Sequence, residues 1–146
     1  MMMNARLLKE LLRNEELRQK TQRIVKFGLV GASGVAVNMF FLWLFTKVAG
    51  LHYLASSAAA IELSILNNFL WNNLWTFSDR RGTEGDGAVA KLIKYHLSVS
   101  VAALTNVFLL WLLHGVIGIN YLLANGIGIG VGFALNYGIS NRWVFR

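Results

Sequence analysis

From Tyr95 through Asn141 the chain carries no charged residue. A helix crosses the hydrocarbon core of a bilayer with about 20 apolar residues, and this run is long enough for two such crossings. Two further runs behave alike. No charge falls between Lys26 and Lys47, and Glu62 is the only one between Lys47 and Asp79. Charged residues make up 14% of the chain, against about 25% in a soluble domain. The pattern predicts helices over 27–45, 53–75, 92–113 and 121–140, and hence an all-α integral membrane protein of four transmembrane helices.

The net charge of +7 raises the question of nucleic acid, and the placement of the charges excludes it as a partner. Seven of the 14 Lys and Arg precede Phe27, four lie between Asp79 and Lys94, and two follow Asn141; Lys47 alone falls in an alternate loop. Four spans put both termini and the central loop on one side, which then carries thirteen of the 14. The bias of Lys and Arg toward cytoplasmic loops assigns that side to the cytoplasm and the chain to the cytoplasmic (inner) membrane. The beginning of the chain is charged and lacks the apolar core of a cleavable signal. Within 4–23, Leu7, Leu8, Leu11 and Leu12 recur at helical spacing, which predicts an amphipathic helix (residues 1–25) lying on the leaflet. A docking helix for a cytosolic partner has the same periodicity. Cysteine and proline are absent, so no thiol chemistry is available, and helix breaks must come from glycine or packing.

The chain repeats itself. A shift of 68 residues aligns 26–77 with 94–145 without a gap, across a Gly-rich charged linker at 78–93. It pairs Lys26 with Lys94, Asn38 with Asn106, Trp43 with Trp111, Gly50 with Gly118, Tyr53 with Tyr121, Asn68 with Asn136, Asn73 with Asn141, Trp75 with Trp143 and Phe77 with Phe145. Shared apolar composition matches Leu with Leu, but not Asn, Trp, Tyr and Lys at one offset. Each copy holds two spans and so enters the membrane from the same side, giving a parallel repeat.

Polar groups interrupt the apolar helices in a pattern. On span two, Ser57, Ala60, Ser64, Asn68 and Asn72 share a face; on span four the same register reads Asn125, Gly128, Gly132, Asn136 and Ser140. Asn38 and Asn106 add an amide to spans one and three. Small residues and amides are also what helices need to pack closely in lipid, and Gly128/Gly132 and Gly126/Gly130 both fit a small-xxx-small spacing. The alternative is a polar groove between the halves that solvates a sugar, since an amide both donates and accepts as a hydroxyl does. Glu62 is the one ionisable group well inside a span, a candidate by position alone, and burial would raise its pKa. A neutral Glu bonded to an asparagine is the structural alternative. His52, His96 and His114 have no metal-ligand spacing, and no nucleophile or phosphate-loop motif is present, so neither catalysis, metal nor cofactor is expected of this chain.

With RIVKFGLVGASGVAVN opening the first span, NFLWNNLWTF closing the second and NYGISNRWVF at the end, the chain resembles the GtrA-like family over residues 23–146. The resemblance implies a small membrane protein of cell-surface polysaccharide or teichoic acid assembly. On that resemblance the chain is expected to move a polyprenyl-phosphate-linked sugar across the membrane, or to assist the membrane glycosyltransferase that makes it. Many members place an arginine where Asn73 and Asn141 stand here, and Arg142 comes one position later. Lys26, Lys94 and Arg142, at the cytoplasmic boundary, are therefore the expected phosphate contacts; anionic bilayer lipid is their other natural partner. Asn38, Asn68, Asn72, Asn106, Asn136 and Glu62 are the expected sugar contacts.

Three functions compete on these residues: a flippase for the lipid-linked sugar, a non-transporting scaffold for a glycosyltransferase, and a proton-coupled exporter using Glu62. Small multidrug exporters share the size and span number, but their acidic residue belongs to span one and their charge bias is weak. Four short spans enclose little volume, so a homo-oligomer is one way to enlarge the path.

Overall fold

The computed structural model describes residues 5–80 and 86–145, with the side chains of 5–9 excepted. Leu7 and Leu8 of the amphipathic pattern, and 81–85 of the central linker, lie outside this description. The described chain is helical, with α1 at Ala5–Trp43, α2 at Tyr53–Trp71, α3 at Ala88–Leu110 and α4 at Tyr121–Ile139. It divides after Thr76 into two compact units, one built from α1 and α2, the other from α3 and α4.

Helix α1 runs unbroken for 39 residues from the charged segment into the first span. Residues 15–26 (EELRQKTQRIVK) hold no glycine or proline, and most are good helix formers. At 1.5 Å per residue the helix is roughly 58 Å long, about twice the hydrocarbon thickness. Leu11, Leu12 and Leu17 are exposed along its first half.

Each of the four helices ends in a widened π turn: Leu44–Val48, Asn72–Thr76, Trp111–Val116 and Ser140–Val144. After the first and third, a glycine at positive φ, Gly50 at 68° and Gly118 at 84°, reverses the chain, a conformation that costs a side chain dearly. The amide of Leu51 then returns to the Phe45 carbonyl at 3.0 Å, and that of Ile119 to Leu113 at 2.9 Å. His52 and Asn120 cap the next helices, each accepting from the amide two residues on, Leu54 at 3.4 Å and Leu122 at 2.9 Å. The amide oxygen is the better N-cap, and the shorter bond reflects it.

Three helical stretches are long and apolar enough to cross a membrane: Glu10–Val48, Ala88–Val116 and Tyr121–Val144. Helix α2 matches α4 in length, 19 residues each, yet falls short in hydropathy because Glu62 and the asparagines at 67, 68 and 72 dilute it. The protein is an all-α, multi-pass membrane protein whose second helix is less apolar than the three candidate spans.

Candidate functional site

Within the first unit, α2 turns Ser56, Ala60, Asn72 and Thr76 inward, and Phe27 and Val30 of α1 are buried with them. In the second unit the same register buries Ala124, Gly128, Gly132, Ser140 and Val144, with Tyr95 and Ser98 from α3. The row begins at 56 and 124, one residue earlier than the stripe read from the sequence. Successive steps of four, rather than a first step of three, follow the contact ridge.

The asparagines of this row are engaged inside their own helix pairs. The Asn68 amide fills the hollow over Gly34, where an added Cβ would meet its carboxamide at 2.3 Å. Its Oδ1 accepts from Asn67 Nδ2 at 3.3 Å, and Asn67 Nδ2 also donates to Ser33 Oγ at 3.0 Å. Ser64 Oγ donates to the Gly34 carbonyl at 2.8 Å. Asn72 is buried, and its Oδ1 accepts from Thr76 Oγ1 at 2.9 Å. In the second unit Ala102 stands where Gly34 stood, so the hollow is closed. Asn136 Oδ1 turns instead to Ser98 Oγ at 2.7 Å, with Ser140 Oγ at 3.4 Å. Val30 is the counterpart of Ser98, so each copy pairs its asparagine with one partner and lacks the other.

That exchange predicts a coupled effect. Ser98→Val should destabilise the second unit by about 1 kcal/mol, the scale of an interhelical hydrogen bond in lipid. Adding Ala102→Gly should recover part of the loss, because Asn136 then gains the hollow that Asn68 uses. Thermal denaturation of the purified chain, both single variants and the double variant measures the coupling.

Asn106 behaves differently. Its Oδ1 is buried without a hydrogen-bond partner and lies 2.3 Å from where a Cβ on Gly128 would stand. Asn38 is half-buried on α1. Glu62 is exposed on α2, turned away from the helix it packs against. Gly130, its repeat counterpart, is also exposed, with nothing within 4 Å of an added Cβ. The face carrying both points away from the partner helix in each hairpin.

The cations at the helix ends fall into matched places. Lys26 Nζ lies 5.5 Å from the Trp75 ring centroid, and Lys94 Nζ lies 5.2 Å from that of Trp143. Lys94 also forms an ion pair with Asp86. Arg142 is exposed in the last turn. Arg80, read from sequence as a loop charge, instead donates to the backbone carbonyls of Asn141 and, at 3.1 Å, Phe145. It thereby closes a cluster in which Phe77 stacks on Phe145 at 4.6 Å beside Tyr95. An arginine one turn past W-T-F was the available signal.

Grooves open at both ends of the first unit. One, of about 690 Å³, runs beside Arg18, Gln22, Lys26 and Trp75, and continues over Leu29 and Trp75 into an apolar stretch of about 420 Å³ walled by Val30 and Trp71. At the other end Trp43, Thr46, Lys47 and Tyr53 line about 440 Å³. Thr46 Oγ1 there is buried with no hydrogen-bond partner. Among the described residues no cluster of three His, Cys, Asp or Glu could hold a metal ion.

Two helix hairpins of one sequence pattern, each with a lysine over a tryptophan at the same end, define a small duplicated membrane domain. Residues 26–145 match the GtrA/DPMS transmembrane domain, and the chain belongs to that family. It is 45% identical over 123 residues to a dolichol-phosphate mannosyltransferase of Pyrococcus furiosus, covering 84% of this chain and 33% of that protein. It is 28% identical over 130 residues to the uncharacterized membrane protein YngA of Bacillus subtilis, covering 88% of this chain and 83% of YngA. The chain thus spans a third of the length of the mannosyltransferase it matches.

Proposed function

We propose that this protein carries a polyprenyl-phosphate-linked sugar across the cytoplasmic membrane, with both termini and the central loop in the cytoplasm. Family membership supports a part in the handling of such lipids. The observation that carries transport is the pair of grooves in the first unit, each combining a lysine with tryptophan at opposite ends of one hairpin. A carrier lipid leaves its chain in the bilayer and must find a cation for its phosphate at both membrane faces; Lys26 and Lys47 supply one each. Glu62, at the midpoint of α2 on its exposed face, is the polar group that the passing sugar would meet between those two ends.

A second reading has its own support. The 45%-identical relative is named a mannosyltransferase and is about three times the length of the matched region. That length is what a membrane domain serving an attached or associated transferase would show, and this chain would then be a scaffold or anchor for one.

The two are separated by reconstituting the chain alone into vesicles with a fluorescently tagged polyprenyl-phosphate sugar and adding an impermeant quencher. Transport predicts that the inner-leaflet signal is lost along with the outer. A scaffold leaves the inner-leaflet signal protected.

A further inference from the structure

The repeat that aligns Lys26 with Lys94 continues toward the N-terminus, and at the same offset it aligns Arg18 with Asp86. The charge at this position is therefore reversed between the two units. In the second, Asp86 forms an ion pair with Lys94, so that lysine's anion is built into the chain. In the first, the matching position supplies another cation, and Arg18 and Lys26 line one groove. Among the described residues no carboxylate pairs with Lys26, which lies over the neutral Trp75 ring.

Two cations sharing a concave wall repel one another, and an anion between them relieves the repulsion. The groove's continuation says what else the ligand carries. Beyond Lys26 it is walled by Leu29, Val30, Trp71 and Trp75. The second unit has Ile139 where Trp71 stands. A cationic mouth leading into an apolar trough fits an anion attached to a hydrocarbon chain, and does not by itself fit a soluble phosphate. Between Arg18 and Lys26 on the same face of α1, four residues from each, Gln22 offers an amide that both donates and accepts.

We propose that the first unit holds the single phosphate site for the carrier lipid at this end of the protein. Arg18 and Lys26 take the phosphate, the trough over Leu29 and Trp71 takes the first part of the polyprenyl chain, and Gln22 faces the attached sugar. Lys94, although its repeat equivalent, is silenced by Asp86. The assignment rests on the lipid-linked substrate proposed above, but makes a narrower claim about where it binds.

The test is native mass spectrometry of the full chain titrated with undecaprenyl phosphate, with phosphatidylglycerol and inorganic phosphate as competitors. One lipid per chain is expected. Arg18→Glu and Lys26→Gln should each weaken binding about tenfold, the scale of one charge-assisted hydrogen bond. Lys26→Arg should restore it, and Lys94→Gln should change it less than about twofold on the same scale. Equal losses from Lys26→Gln and Lys94→Gln would overturn the one-site assignment and leave the proposed substrate standing. Displacement by phosphatidylglycerol at equal concentration would overturn it in favour of general contact with anionic lipid, and displacement by inorganic phosphate in favour of a simple anion site. If wild type shows no saturable binding of undecaprenyl phosphate, the substrate reading falls as well.

Discussion

Gly132→Leu should break the second helix pair, while Gly130→Leu, two residues away on the same helix, should be tolerated. An added Cβ at Gly132 would lie 3.0 Å from the Ala102 carbonyl oxygen and 3.6 Å from its carbon. These are backbone atoms, which cannot swing aside as a side chain can. The rest of a leucine would force α3 and α4 apart, opening the Ser98–Asn136 hydrogen bond one turn away. Overpacking costs 1–3 kcal/mol for modest insertions, and a whole side chain against backbone should cost roughly 3 kcal/mol or more. Gly130 has nothing within 4 Å of its added Cβ, and neither has Gly126. Thermal denaturation and monodispersity of the three purified proteins check this. Equal behaviour of the two variants would show that α4 packs through a different face.

Those glycines also show where sequence reasoning stops. Gly126/Gly130 and Gly128/Gly132 have the same spacing and composition, and periodicity alone gives no reason to prefer one pair. The choice depends on where α3 lies, a tertiary fact that one helix does not encode. The long uncharged runs and the offset of 68 did anticipate the helices, because membrane burial and duplication leave one-dimensional signatures. Local elements keep that offset: α2 and α4, His52 and Asn120 as caps, and the positive-φ glycines. Side-chain partners were less accessible. Asn68 and Asn136 are aligned in sequence yet solve packing differently, one over a glycine and the other on a serine. Arg80 looked like topology charge because its targets are backbone carbonyls 61 and 65 residues away. Arg18 escaped notice for a simpler reason. It lies before residue 26, where the repeat legible in the sequence begins, and the match there is a cation against an anion.

Glu62→Leu should improve membrane insertion and still abolish transport. Glu62 stands at the midpoint of α2, the helix whose hydropathy falls short of its three companions. Ionisable residues at a span centre cost about 2.5–3.5 kcal/mol on insertion scales, whereas leucine contributes slightly in favour. The substitution should therefore favour insertion by roughly 3 kcal/mol, and accumulate at least as much protein in the membrane as wild type. If Glu62 serves only structure, transport should rise or hold with that gain. On the function proposed here it is lost, because a hydrogen-bonding group on the exposed face of α2 is removed from the sugar's path. Glu62→Gln discriminates further: it replaces the carboxyl group with an amide that still donates and accepts, and should retain most of the transport. Proton coupling predicts the reverse for glutamine, which cannot release a proton and would stop an exporter driven by pH. Quencher-access transport measured for both variants across a range of external pH separates these outcomes. A folded, inserted Glu62→Gln protein without transport would point to a proton-driven mechanism, and a fully active Glu62→Leu protein would remove Glu62 from the path altogether.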